Sequence, residues 1–242
     1  MIDLLGLLSA QIPTWASVSL GSHALLVSVH ALPSGKPYGP ISLSVEGNSG
    51  CLSVKEVKPT RWPTACPERH INADGTFCIG EGPLNSPLTD GDAALWWEAL
   101  GKFLQGQRFA DVHQTWPYSR SLHHGDASRH QRRLEEVASG TIFAEEVECS
   151  LHAQRGWLAG VLPRLHKHEF RLVNQRSVCP RGCTRRGRPI LRRNCQHRQL
   201  IFEIIREEHL RREADRKFWA SFPRKTCCGT MHNCPLAQKV TA

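Results

Sequence analysis

Between Trp15 and Val57 the chain reads as successive short runs rich in β-formers, and this periodicity constrains the fold more than any other feature. "WASVSL" and "HALLVSVHA" are separated by Gly-Ser, a hairpin cue. "PYGPISLSVEG" alternates Ile41, Leu43 and Val45, the turn Gly47-Asn48-Ser49-Gly50 follows, and "CLSVKEV" alternates again. A period of two puts every second side chain on one face, so one face packs on a core while the other meets water. Three or four such strands joined by short turns predict an antiparallel meander. A loop from Lys58 to Pro67 with three prolines ends it. Beyond an irregular stretch reaching Thr89, "DGDAALWWEALGKFLQGQRFA" places Leu95, Trp96, Leu100, Phe103 and Leu104 at helical spacing behind an acidic start. "ASRHQRRLEEVAS" predicts a further helix, and "MIDLLGLLSAQIP", with Asp3 and no basic segment, reads as a short amphipathic helix rather than a signal peptide. Helices packed on a meander give an α+β fold.

An apolar fraction of 40% is enough for a packed core in 242 residues, and no run approaches the roughly 18 apolar residues of a membrane span. The expectation is a soluble, cytoplasmic protein that does not engage a membrane, with thiols that are catalytic or metal-bound rather than paired as disulfides. Charge divides the chain. Through Gly125 there are 8 Lys and Arg against 10 Asp and Glu; from Asp126 onward there are 23 against 12. A near-neutral first part and an Arg-rich second part suggest two functional parts.

Most of the ten cysteines gather near the C-terminus, but Cys78 stands in "RHINADGTFCIGEGP". A thiol used as an acyl carrier needs access, a rigid loop and a polar neighbour for the tetrahedral oxyanion. Asp74-Gly75 supplies a tight turn. Asn72 can donate its side-chain amide to a developing oxyanion or brace the loop itself. Phe77 and Ile79 would anchor the segment while Cys78 points outward, and His70 is a candidate for a structural hydrogen bond or for acid–base work. No base need touch the thiol when the incoming group is already a thioester, because exchange depends on thiolate fraction and access. Cys51, Cys66 and Cys149 read as packing residues, and His123-His124 as a solvated loop.

The tail differs. Cys179-x3-Cys183-x11-Cys195-x-His197 has spacing compatible with structural zinc, and Cys227, Cys228, His232 and Cys234 would complete that site or form a second, for one or two ions. Between the clusters, "QLIFEIIREEHLRREADRKFW" is a strongly amphipathic helix with Glu207–Arg211 and Glu208–Arg212 as i,i+4 pairs. Arg185, Arg186, Arg188, Arg192 and Arg193 suit a nucleic acid backbone, an acidic protein partner or a solvated face.

The order His70, Asn72, Gly75, Cys78 resembles the active-site stretch of the ubiquitin-conjugating E2 enzymes, with Ile71 in the proline slot and Ile79 in the leucine slot. The meander, its Pro-rich exit and a helix with paired tryptophans, Trp96 and Trp97, are also similar. With its cysteine-rich tail the chain resembles bacterial E2-like proteins of conjugation and antiviral defence operons. The resemblance implies an E2-like domain over residues 1–140, a helical connector over 141–178 and a cysteine-rich zinc region over 179–242. It implies a transferase that carries a ubiquitin-like protein on Cys78, takes it from an E1-like activating enzyme and passes it to a target protein. The alternative is a non-catalytic E2-fold scaffold whose basic zinc tail binds a partner protein or nucleic acid.

Overall fold

The computed structural model of the chain describes residues 3–48, 50–80, 86–117, 123–166, 171–222, 226–232 and 234–237; residues 81–85 of the expected irregular stretch lie outside these. Two compact units result. One combines Met1–Tyr118 with Phe222–Ala242, and the other is Ser119–Ser221.

The first unit is built on a four-stranded antiparallel sheet: β1 (Ala16–Leu20), β2 (Ala24–Ala31), β3 (Pro37–Asn48) and β4 (Cys51–Glu56), in that spatial order. This is the expected meander. Register follows from the alternation: Leu25, Val27 and Val29 stand opposite Val45, Leu43 and Ile41, and Val45 stands opposite Val54. All of these side chains are buried. A slip of one residue would turn the whole set to water, at about 1.5–3 kcal/mol for each large aliphatic side chain exposed. The other face carries the serine pairs Ser17–Ser28 and Ser28–Ser42 and a Lys55–Glu46 ion pair at 3.0 Å.

Two helices share the buried core of this sheet. The short α1 (Leu4–Ala10) is capped by Asp3, whose Oδ1 accepts from the Gly6 amide at 2.9 Å. The long α2 (Asp90–His113) starts at a capping box in which Thr89 and Asp92 satisfy each other's amides. It buries Trp96, Trp97, Leu100, Phe103 and Leu104 in the cluster that holds the sheet residues. Leu95 was expected on that face but is 54% exposed. Trp97 takes the position instead, its indole N–H donating to the Leu8 carbonyl at 3.0 Å and tying α1 to α2.

The second unit is helical. α3 (Ala127–Ala138), α4 (Ala144–Ala153) and α5 (Arg198–Ser221) surround a core of Leu134, Phe143, Val147, Leu151, Ile201, Phe202, Ile204 and Ile205. A two-residue hairpin, β5 (Thr184–Arg185) with β6 (Arg188–Pro189), precedes α5. Of the two expected i,i+4 pairs in α5, Glu208–Arg212 forms, whereas Arg211 pairs with Glu208 rather than with Glu207. Glu208, 1% exposed, accepts from Arg211 at 2.7 Å through both oxygens and from Arg212 at 2.6 Å. Arg212 also donates to the Leu158 and Gly160 carbonyls. Glu207 faces α3 and meets His130 at 3.0 Å. His123 and His124 are not a solvated loop either: His123 bonds Gln131, and His124 lies on Phe218 and against the edge of Trp219. Among the described residues no helix is long and apolar enough to cross a membrane.

Candidate active site and metal clusters

β4 is the last strand of the sheet, and its outer edge would present unpaired amides and carbonyls. The cysteine loop covers it. The Phe77 amide donates to the Val54 carbonyl at 2.8 Å, and Thr76 bridges to Lys55. Cys66 and Ile71 exchange both backbone bonds, at 2.9 and 3.0 Å, across a 3-10 turn over Pro67–Arg69. Arg69 locks that turn to α2. It is buried, donates to Gln107 at 3.2 Å and to Asp111 at 2.6 Å, and its own carbonyl accepts from Gln107 at 2.7 Å.

Within this frame alternation orients the reactive residue. Phe77 is buried and stacks on Phe103 with ring centres 4.5 Å apart, and Ile79 packs against the same core. Cys78, between them, is exposed. Its amide donates to the His70 carbonyl at 2.8 Å, so the backbone that carries the thiol is held on both sides. The Asp74-Gly75 turn forms as expected. Gly75 has φ +84°, a left-handed conformation that favours glycine, and donates to the Asn72 carbonyl at 3.0 Å. Asp74 accepts from the Thr76 amide at 3.0 Å and hydroxyl at 2.7 Å. Burial opposes its charge, but these bonds hold the carboxyl below its ordinary range.

Asn72 donates its side-chain amide to the Thr76 hydroxyl at 3.0 Å. It therefore braces the loop, and one such bond leaves the second amide hydrogen for another acceptor. His70 adopts φ +54° and packs its ring on Trp116, centroids 4.8 Å apart. Burial pushes its pKa down to about 4, so the ring is neutral at pH 7. Its contribution to the loop is the carbonyl that holds Cys78.

In the second unit the sulfurs of Cys179, Cys183 and Cys195 lie within 4.8 Å of one another, with Cys179 and Cys195 at 3.9 Å. A tetrahedral ion bonded to sulfur at about 2.3 Å requires sulfurs roughly 3.8 Å apart, so this trio could hold a metal. The Cys179 amide donates to Ile190 at 2.7 Å and the Ile190 amide to Cys183 at 2.8 Å, which sets the two cysteines on the base of the β5–β6 hairpin. Arg185, Arg186 and Arg188 are exposed at its tip. His197 stands outside the trio, with Nε2 2.9 Å from Gln196 Nε2 and its ring edge-on to Phe143. Cys227, Cys228, His232 and Cys234 belong to the first unit. His232 is exposed and donates its amide to the Gln114 carbonyl at 2.7 Å. Cys66 is buried but is more than a packing residue, since its sulfur lies 3.2 Å from that of Cys228.

Two family models match the chain. One, described as a prokaryotic E2 domain, covers residues 18–118. The other, described as a cysteine-rich domain C-terminal to an E2 domain, covers residues 123–236. No curated protein and no solved structure gives a significant match.

Proposed function

We propose, from the premise that this chain is a prokaryotic E2 domain followed by its cysteine-rich domain, that it is a transferase carrying a ubiquitin-like protein as a thioester on Cys78. The observation that carries the reading is the exposed Cys78 thiol on a segment pinned through Phe77 to β4 and through its own amide to His70. The Cys78 thiolate attacks the carbonyl carbon of a thioester presented by an E1-like enzyme. A new C–S bond forms, the old one breaks, and the E1 thiolate leaves. A target amine then attacks the same carbon, Cys78 leaves as thiolate, and the amine proton passes to solvent. Asn72 keeps the loop rigid through Thr76 and offers its second amide hydrogen toward the oxyanion. His70, neutral, takes no proton at pH 7.

The Cys179, Cys183 and Cys195 trio takes a structural zinc ion, with a fourth ligand drawn from His197 after rotation of its side chain or from water. Zinc would supply rigidity there and no chemistry. The setting that fits is a bacterial conjugation operon with an antiviral role, in which the neighbouring genes encode the modifier and its activating enzyme.

The test is to incubate the chain with its genomic neighbours and ATP and to resolve adducts with and without reductant. A reductant-sensitive adduct is expected, lost in Cys78→Ala and converted to a slower, reductant-resistant oxyester in Cys78→Ser. Asn72→Ala should slow transfer more than loading. A Cys78→Ala chain that still forms the adduct would leave the E2-fold scaffold with a basic tail as the reading.

A further inference from the structure

Three cysteines of this chain are followed by proline: Cys66-Pro67, Cys179-Pro180 and Cys234-Pro235. Each forms the same tight turn. The amide three residues on donates to the cysteine carbonyl, from Arg69 at 3.0 Å, Gly182 at 2.9 Å and Ala237 at 2.9 Å. Each of these cysteines is buried. One of the turns, at Cys179, already contributes to a thiol trio of metal-binding spacing. The other two lie in the first unit, together with Cys227 and Cys228.

We infer that Cys66, Cys227, Cys228 and Cys234 form a second, tetrathiolate site for zinc or a similar soft divalent ion, in which the C-terminal segment is fastened to the turn beneath the Cys78 loop. The four sulfurs come as two pairs. Cys66 and Cys228 are 3.2 Å apart, and Cys234 interacts electrostatically with both Cys227 and Cys66. No three of them yet lie within 4.8 Å of one another, so an ion would draw the pairs into one sphere.

Donors reach two of these sulfurs. The Gly229 amide donates to the Cys227 sulfur at 3.3 Å, and the Thr230 hydroxyl lies 3.1 Å from the Cys228 sulfur. Amide donors directed at sulfur stabilise its negative charge and fix its direction, the two things a metal requires of the groups around its ligands. The buried Arg69 guanidinium adds positive charge beside Cys228. A hydrophobic explanation accounts for the burial of Cys66 and Cys234 but not for two sulfurs, Cys66 and Cys228, at 3.2 Å across 162 residues of sequence.

The binding step balances simply. The ion gains four sulfur bonds, and each ligand still protonated releases its proton to solvent. No oxidant enters, unlike a disulfide between Cys66 and Cys228. Cys66 supplies the thiol that the exposed His232 does not, and it lies 162 residues from Cys228 in the chain. Closing that loop with a metal holds residues 226–237 against the unit that carries Cys78.

The experiment is metal content on the full chain purified under reducing conditions. Two zinc equivalents are expected for the wild type and one each for Cys66→Ser and Cys195→Ser. Wild-type zinc content retained in Cys66→Ser overturns the inference. One equivalent that disappears in Cys66→Ser and persists in Cys195→Ser would support this site and sink the trio instead. Should Cys66→Ser fail to fold, alkylation of the wild type decides. Cys78 should label rapidly, whereas Cys66, Cys227, Cys228 and Cys234 should be protected until a chelator is added. Labelling of Cys227 and Cys228 at the Cys78 rate before chelation, or an intact mass lighter by two hydrogens from a Cys66–Cys228 disulfide, refutes the site.

Discussion

Acidification should loosen the unit that carries Cys78, and His70 should account for a measurable part of the effect. Its carbonyl holds the Cys78 amide at 2.8 Å, and its ring lies 4.8 Å from that of Trp116. Burial lowers its pKa from 6.5 to about 4. The unfolded chain therefore takes up the proton first, so the stability contributed by the neutral ring is complete above the unfolded pKa and is lost as pH falls from 6.5 toward 4. At about 1.4 kcal/mol per pH unit the full loss is about 3.5 kcal/mol, and between pH 7.5 and pH 5 it is about 2 kcal/mol. Solvent reaching the half-buried ring reduces this to roughly 1–2 kcal/mol. Urea unfolding of the full chain, followed by tryptophan fluorescence at about pH 7.5 and pH 5, measures it. The reference is His70→Asn, because asparagine tolerates the φ of +54° better than other uncharged residues. Metal-thiolate ligands also release their ion in acid, but they do so in both proteins, and that loss drops out of the difference. Wild type should lose about 1–2 kcal/mol more than the variant between the two pH values. Equal losses would refute the claim that the ring is held neutral by burial.

Two substitutions test the packing that supports the sites. Glu208→Ala leaves Arg211, 6% exposed, without its bidentate carboxylate, and should cost about 3–5 kcal/mol in thermal or urea unfolding of the second unit; a loss below 1 kcal/mol would mean water already solvates the pair. Gly106→Ala places a methyl group 2.7 Å from the Trp116 ring, so Trp116 and with it His70 must shift. About 1–3 kcal/mol of destabilisation and a changed tryptophan emission are expected, and an unchanged spectrum would show that the ring does not rest on the helix.

The sheet was legible because its signal is local. An alternating run bounded by Gly-Ser or Gly-Asn-Ser-Gly specifies strand, face and turn together, and all four strands form as read. The Cys78 loop was legible for the same reason, since alternation between Phe77 and Ile79 decides which way the sulfur faces. What failed depends on partners distant in sequence. Leu95 and Trp97 both fit a helical stripe, and the Leu8 carbonyl at the end of α1 selects the indole. Glu207 and Glu208 both lie four residues before an arginine, but α3 presents His130 to Glu207, which leaves both arginines to Glu208. His124 finds Phe218 only once the helices are assembled. Cys66 is the extreme case, separated from Cys228 by most of the chain. Its sequence signal was the repeated Cys-Pro turn, which a search for paired cysteines at short spacing passes over.

The cysteines divide by what the backbone does around the sulfur. Cys78 sits in an extended segment whose neighbours are buried and whose sulfur faces water, the arrangement a carrier needs if a partner's thioester is to reach it. Cys66, Cys179 and Cys234 sit at Cys-Pro turns closed on their own carbonyls, and all three are buried. The same contrast bears on where the first unit ends. Its family match stops at residue 118, but the Gln114 carbonyl accepts the His232 amide at 2.7 Å and Cys66 meets Cys228 at 3.2 Å. Residues 226–237 thus supply contacts to both the end of α2 and the turn anchored by Arg69. A chain cut after 118 would remove the Cys228 sulfur from Cys66 and the His232 amide from the end of α2, while the turn kept its bonds to Gln107 and Asp111. The C-terminal segment is structurally part of the E2 unit, although it is encoded with the cysteine-rich domain.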